Sequence, residues 1–572
     1  MLILGIHAGF HDGCAAVFED YRMVSAVALE RLTRIKIDGG RIPDEAIDEC
    51  LAIAGRTRSE VDAVALSRAV FPWRWCTHLG AGRKLGRRFQ ELQGRVRHVS
   101  LERELMRAGR TDAEGIVDAT RLRREMGFGD DCRVHFYNHH RAHALAALFH
   151  TDWDDALIYT ADGGGDNVQY SHRLLRGGRL VEMVGGDEAL LEATRIDSLG
   201  LAYGFATQAL GYKINRHEGK VTGLAAYGRP TVYEALGAHF SVDGAGVVSS
   251  DFADYGEMRR TVFAIAETVS REDLAASIQR LLEDRVLAAV RALLERHPVS
   301  HLALAGGIFA NVRLNQRLAE ETGVGEVFVY PAMSDQGLAA GGVLDFLLAR
   351  DGLETWLASR YRLDHLYFGR NYGADEALAA TPGIARLSDD PVGRSAELLA
   401  AGAVVGLYTD AMEYGPRALG ARSILANPSD RDINDVLNAR LDRTEFMPFA
   451  PVVAAADADL VFRLPRASRY AARFMTITCD VRPEWHERIP AVIHVDGTAR
   501  PQLIERPANP LYFDILAAFK ARTGLPVLIN TSFNVHEEPI INAPEECARA
   551  LAEDRVDYVA TENGVYGPAE RL

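Results

Sequence analysis

The sequence predicts an α/β fold in which a duplicated N-terminal domain, built around a cleft, is followed by a second α/β domain. Three observations predict it. A strand–turn–strand unit occurs twice: Leu2–Ile6, the polar turn Ala8–Gly13 and Cys14–Phe18, then Ala156–Thr160, the glycine turn Asp162–Asp166 and Asn167–Leu174. Short apolar runs bounded by glycine and acidic residues read as strands and turns. Another strand, His301–Ala305, ends in Gly306-Gly307 before a helical pattern over Phe309–Glu320, with Asn311 in its first turn. Finally, 572 residues exceed what one core usually supports, and the chain changes character between 350 and 400, where Thr381-Pro382 and Asp389-Asp390-Pro391 fall. The expected domains are 1–360 and 386–572, with a linker region at 361–385.

Taken in order, Arg22–Leu29 reads as a third strand after the first hairpin. A basic helical insertion is expected at about 74–130, because Arg83, Lys84, Arg87, Arg88, Arg95, Arg97 and six more arginines up to Arg124 outnumber its acids. Most charge runs are solvated faces, and that is the reading taken here; a phosphate-rich substrate or a partner is the lesser alternative. The whole chain has a net charge of −15, which excludes a general nucleic-acid binder. Six cysteines without a C-x-x-C pair exclude a zinc ribbon and disfavour a disulfide framework. No segment reaches the length of a membrane span, and Met1–His7 lacks the basic leader of a signal peptide. A cytoplasmic protein with neither nucleic-acid nor membrane partners is expected.

The chemistry concentrates at strand ends. His139 and His143 stand one helical turn apart in Asn138-His139-His140-Arg141-Ala142-His143, so both imidazoles leave one helix face. Asp162 follows the strand Ala156–Thr160, and Asp335 follows the strand Val327–Tyr330. Such a histidine pair is more often surface or satisfied core than a ligand pair. Two nitrogens with a carboxylate that can converge on them nevertheless suit a divalent metal. The glycine turns at 163–164 and 306–307 let backbone approach a ligand closely. After Pro391 the helix Gly393–Gly402 and strand Val404–Tyr408 open the second domain. Its loops bring Arg417, Arg443, Arg500, Asn530 and Ser532, residues suited to a small phosphorylated or carboxylated ligand.

Together these strings resemble the O-carbamoyltransferases of the NodU/TobZ/CmcH family over nearly the whole chain. The most specific are the His-His-x-Ala-His helix with its Asp-Gly-Gly-Gly-Asp turn, His217-Glu218-Gly219-Lys220-Val221-Thr222-Gly223-Leu224, and Gly415-Pro416-Arg417-Ala418-Leu419-Gly420. The resemblance implies an N-terminal domain of the actin/hexokinase class, similar to TsaD-type enzymes, and a C-terminal domain similar to YrdC. It implies a metal, commonly iron(II), on His139, His143, Asp162 and Asp335. It implies a nucleotide, with magnesium, on Gly163, Gly164, Gly306, Gly307, Asn311 and Lys220, and carbamoyl phosphate on Arg417, Arg443, Arg500, Asn530 and Ser532. The implied reaction makes carbamoyl adenylate from carbamoyl phosphate and ATP, then transfers the carbamoyl group to a small-molecule hydroxyl, a natural product being the expected acceptor. His11, expected to have a near-neutral pKa, would take the acceptor proton, Lys36 would neutralise phosphate charge, and a homodimer is allowed.

One stretch departs from the resemblance. Tobramycin-type members read Lys-x-Arg-Glu-x-Phe-Arg-Pro-Phe-Ala-Pro, where this chain has Leu441 and Met447 in place of two cations and keeps Arg443. Arg422 or Arg440 is expected to compensate. The competing readings are a sugar-kinase-like phosphotransferase on the same fold, a tRNA or protein carbamoylation factor, and a catalytically silent ATP-sensing module.

Overall fold

The computed structural model describes residues 1–94, 98–443 and 447–571. Arg95 and Arg97 of the basic stretch, and Thr444-Glu445-Phe446 of the departing stretch, lie outside the described residues.

The duplication is explicit in the sheets. The first has the order Arg22–Ala28, Cys14–Glu19, Leu2–His7, Ala63–Ser67, Arg133–Tyr137. The second has the order Arg179–Val184, Val168–Arg176, Ala156–Gly165, His301–Ala305, Glu326–Val329. In each, the first three strands of the half form an antiparallel meander, and two more strands add parallel to its first. The two sheets share one 3-2-1-4-5 topology, that of the actin/hexokinase class. Parallel neighbours end on the same side, so loops that follow them gather at one place.

The turn expected over Asp162–Asp166 is displaced. Strand Ala156–Gly165 runs through the glycines, with a bulge between Ala161 and Gly165. The chain reverses instead at Asp166-Asn167, whose φ values of 50° and 60° are those of a two-residue hairpin. Asp and Asn tolerate that region because their short polar side chains bond locally. The helix expected from Phe309 also starts later. Gly307–Ala310 is a 3-10 turn, and the α-helix is Val312–Glu321, with the Asn311 side chain accepting from the Leu314 amide as N-cap.

The C-terminal unit is an eight-stranded mixed sheet: Ile384–Ser388, Val565–Pro568, Tyr558–Ala560, Val405–Tyr408, Arg422–Ala426, Val527–Ser532, Ala450–Ala454, Gln502–Ile504. Helices Pro391–Ala400 and Pro510–Thr523 pack on each other beside it. Part of the expected linker belongs to this unit. Asp375–Ala380 is a helix, and Asp375 accepts from Thr561, Asn563 and Tyr566.

The basic insertion holds helices Ala81–Leu92, Leu101–Ala108 and Ala119–Met126. Ser100 and Asp118 cap the last two. All six cysteines are buried thiols, and no described helix is long and apolar enough to cross a membrane.

Candidate functional site

Asn138 ends the strand Arg133–Tyr137 and caps the helix His139–Phe149, its side chain accepting from the Arg141 amide. That cap fixes where the helix begins, and with it which histidines face the second sheet. His139 Nε2 lies 3.6 Å from Asp162 Oδ2 and 3.6 Å from Asp335 Oδ1. His143 Nε2 lies 3.2 Å from Asp162 Oδ2 and 3.7 Å from Asp335 Oδ1. One ligand atom from each of the four residues falls within 4.8 Å of the others.

The fit to a metal rests on what these atoms lack. His139 Nε2, His143 Nε2 and Asp162 Oδ2 are buried without a hydrogen-bond partner, and buried polar atoms are almost always paired. Two imidazole nitrogens and two carboxylate oxygens converging this way make a donor set suited to a first-row divalent ion.

His140, between the two ligands in sequence, does something else. Its Nδ1 meets Thr160 Oγ1 at 2.8 Å and its Nε2 meets the Val168 carbonyl at 3.0 Å, so it ties the helix to the second sheet. Burial holds its pKa well below the usual histidine value. Of three histidines in five residues, one is structural. The sequence reading also missed His7, at the end of the first strand. It is buried, with Nε2 3.3 Å from Asp335 Oδ2, the oxygen turned away from His139 and His143. Burial lowers its pKa despite that carboxylate. Its position one strand end away from His11 was the available signal.

Electrostatics corrects the expectation for His11. Burial pulls its pKa down, but the Asp12 carboxylate 3.2 Å away, helped by Asp335, raises it to about 10. The same contest raises His139 to about 9, where Asp335 and Asp162 outweigh burial. Asp162 moves the other way: burial alone would raise it, yet His139 and His143 hold it below the usual carboxylate range. Without a cation, Asp335 and Asp162 keep the His139 imidazole protonated at neutral pH.

Of the expected nucleotide residues, Gly163 and Gly307 flank Asp162. Gly163 donates its amide to Asp162 Oδ1 at 2.6 Å. Gly306 has φ 104°, and a Cβ there would lie 2.2 Å from the Ala161 carbonyl oxygen, so only glycine fits where the two parallel strands end. A Cβ on Gly307 would stand 3.0 Å from Asp162 Oδ1. Asn311 Nδ2 donates to Gln279 Oε1 and Thr222 Oγ1. Thr222 and the buried Lys220 share the helix Glu218–Ala225, so that helix abuts the turn after Gly307. Lys36 is half-buried in the loop whose next carbonyl, that of Ile37, accepts from the Asp12 amide. That loop is held against the His11 turn.

The C-terminal residues form a second group. Arg443 donates to Thr531 Oγ1 and to Ser532 and Asn534. Asn530 Nδ2 donates to Gln502 Oε1 and the Ala418 carbonyl, which places it beside the Arg417 loop. Glu413 shapes that loop by accepting the amides of Leu419, Ala421 and Arg422 on one oxygen. Arg500 lies two residues before Gln502, half-buried.

Both arginines expected to compensate are partly engaged, although Arg422 keeps Nε and Nη2 buried without a hydrogen-bond partner. Arg422 is fully buried, stacks 3.7 Å over the Tyr408 ring and donates to the carbonyls of Thr409, Asp410 and Ala421. Arg440 pairs with Asp557 at 3.0 Å. Leu441 is a core residue, and Met447 packs against Gly223, where an added Cβ would meet Met447 Cγ at 2.5 Å.

The two units are joined by several contacts. The Tyr414 hydroxyl donates to the carbonyl of Gln336, the residue after Asp335, and Arg31 donates to the Gly415 carbonyl at 2.8 Å. On the other side, Glu537 Oε1 meets His217 Nε2 at 2.6 Å while its Oε2 accepts from Lys213 and Arg216. His536 completes a group of possible metal ligands there. However, His217 Nδ1 accepts the Lys213 amide, so Nε2 carries the proton and donates it to Glu537. With two further cations on the same carboxylate, this is a latch between the units rather than a metal site.

One unit thus carries a histidine–carboxylate cluster at its strand ends, and the other an arginine–amide group. Residues 2–71 and 116–344 match the family described as Carbamoyltransferase N-terminus, and 396–567 match Carbamoyltransferase C-terminus. The chain belongs to the carbamoyltransferase family and is a carbamoyltransferase. Nodulation protein NolNO of Sinorhizobium fredii is 35% identical over 549 residues, covering 93% of this chain and 75% of the relative. Nodulation protein NolO of Bradyrhizobium diazoefficiens is 35% identical over 71% of this chain and 74% of its own. The uncharacterized protein sll1178 of Synechocystis is 31% identical over 98% and 96%. Among solved structures, full-length HypF in its phosphate- and nucleotide-bound form overlaps with TM-score 0.32 at 13% identity, over 61% of this chain and 56% of its own. Likeness at that level bears on neither ligand nor function. Residues 72–115 lie outside both family matches.

Proposed function

We propose that this carbamoyltransferase is ATP-dependent and acts on oxygen. In the C-terminal pocket, carbamoyl phosphate, ATP and water would give carbamoyl adenylate, phosphate and pyrophosphate. In the N-terminal site, an acceptor hydroxyl would attack the carbamoyl carbon. The new C–O bond forms as the bond to AMP breaks, AMP leaves with its phosphate oxygen charge, and the hydroxyl proton passes to a base.

The observation that carries the reading is the convergence of buried, unpartnered ligand atoms of His139, His143 and Asp162 with Asp335 at the strand ends. A divalent ion there, iron(II) in this reading, would polarise the carbamoyl carbonyl, which is a poor electrophile because nitrogen donates into it. The chain's own residues do the rest. Gly163 and Gly307 leave backbone room beside Asp162 for a nucleotide, and Asn311 with Lys220 borders it. His11, paired with Asp12 beside the cluster, is in this reading the group that exchanges a proton with the acceptor hydroxyl. Arg443, held on Ser532 and Asn534, with Arg417, Arg500 and Asn530, would grip the donor phosphate.

A sugar-kinase reading needs no histidine pair, and the family match sets it aside. The acceptor is proposed to be the hydroxyl of a small molecule, a natural product in this reading. The test separates the half-reactions. Arg417→Ala and Arg500→Ala should block formation of carbamoyl adenylate while sparing transfer from supplied carbamoyl adenylate. Equal loss of both half-reactions refutes the division of labour.

A further inference from the structure

The helix Ala81–Leu92, in the segment outside both family matches, is turned inside out relative to an ordinary surface helix. An amphipathic helix normally buries its apolar stripe and leaves charges in water. Here none of its residues is buried. Leu85, Phe89 and Leu92, at i, i+4 and i+7, form one stripe and are 71%, 61% and 84% exposed. It is the polar side that faces the body. Arg83 donates to the buried Glu104, Glu91 accepts from the Trp73 indole at 2.8 Å, and the Lys84 ammonium reaches the Thr77 carbonyl. These links hold the stripe outward, and among the described residues nothing covers it.

We propose that this helix is a docking surface for an anionic phospholipid bilayer. Charge decides the occupant. The helix carries Arg83, Lys84, Arg87 and Arg88 against Glu91, and with Arg83 paired to Glu104 the other three cations still outnumber that acid on a chain whose net charge is −15. By helical spacing, Arg88 borders the apolar stripe, free of the body contacts that hold Arg83 and Lys84. Basic residues beside leucine and phenylalanine on one face describe a helix that lies in the headgroup region, its apolar side dipping between lipids. Twelve residues span about 18 Å, too short to cross a bilayer, so this is contact with a surface and not insertion. The surface is a flat stripe without a groove, which suits a fluid interface better than the pocket a protein partner fills. The solvated basic face expected from sequence thus becomes a face with a use.

The test uses the full chain and vesicles of phosphatidylcholine with or without phosphatidylglycerol, read by co-sedimentation. We expect binding to the anionic vesicles, little to the neutral ones, and loss in 1 M salt. Arg88→Glu should weaken partition at least about fivefold, the effect of one cation at such a surface. Leu85→Ser with Phe89→Ser should weaken it at least about tenfold. All three positions are exposed, and matching circular dichroism and thermal unfolding would show that the variants fold. Absence of binding to anionic vesicles, or binding that the Leu85→Ser/Phe89→Ser pair leaves unchanged, overturns the proposal. A dimer in sedimentation velocity that the same pair dissociates, without vesicle binding, also overturns it and assigns the stripe to a second copy.

Discussion

Replacing His143 by Ala tests the metal centre without relying on turnover. His143 is buried, and neither ring nitrogen has a hydrogen-bond partner, while Nε2 sits 3.2 Å from Asp162 and 3.7 Å from Asp335. A ligand that binds only the folded state stabilises it by RT ln(1 + [L]/Kd), about 2.7 kcal/mol at a free concentration of 100 Kd. Changes to outer-shell partners alone cost 10–100-fold in metal affinity, so loss of one of four direct ligands should cost about a hundredfold or more. At the same metal concentration the gain in His143→Ala would fall to about 0.4 kcal/mol. The assay is denaturant unfolding with and without iron(II), manganese(II) or zinc(II), together with metal content after dialysis. His140→Ala is the internal control. It loses the Thr160 and Val168 contacts and leaves a small cavity, so it should cost roughly 2–4 kcal/mol in the metal-free protein yet keep the full metal-dependent gain. Equal gains in wild type and His143→Ala, or a gain lost only in His140→Ala, would refute the ligand assignment.

Three further outcomes follow from the geometry. Gly307→Ala sets a Cβ 3.0 Å from Asp162 Oδ1; calorimetry should show weakened metal binding with the fold retained, and unchanged binding would show that Asp162 can yield. Met447→Arg restores a cation at the face against Gly223, and carbamoyl phosphate should bind about tenfold more tightly, the value of one charge-assisted contact; an unchanged isotherm would place the donor elsewhere. Burial would raise Glu537, but Lys213 and His217 bring its pKa down to about 2. A carboxylate with a folded pKa below its usual 4.5 contributes stability above that value and loses it as pH falls toward 2. Acid unfolding of wild type and Glu537→Gln should therefore converge between pH 4.5 and 2, and parallel curves across that window would contradict the latch.

Much of the site was legible because ligand residues sit at strand ends, and strand ends announce themselves by a change from apolar run to glycine and acid. His139, His143, Asp162 and Asp335 were readable this way, and the structure brings them within reach of one another. His7 was not, because a histidine closing a buried strand looks like core. The Asp162–Asp166 segment was misplaced as a turn because glycines mark bulged strands as well as reversals. Asn311 was assigned to the first helical turn, although an Asn before an apolar-periodic run is also the signature of a cap.

The sequence by itself determined the alternation of strands and helices, the duplication, the spacing of the histidine pair and the arginine-bearing loops, since these are local properties of pattern and propensity. Only the tertiary structure decided which of three neighbouring histidines is spent on a hydrogen bond, that Arg422 stacks on Tyr408 and Arg440 pairs with Asp557, and that Ala81–Leu92 turns its apolar stripe outward. Those outcomes depend on partners beyond the local window, from Tyr408 beneath Arg422 to Asp557 against Arg440, and on whether burial or a neighbouring charge prevails. Periodicity gives a helix its two faces; what packs against it settles which face meets water.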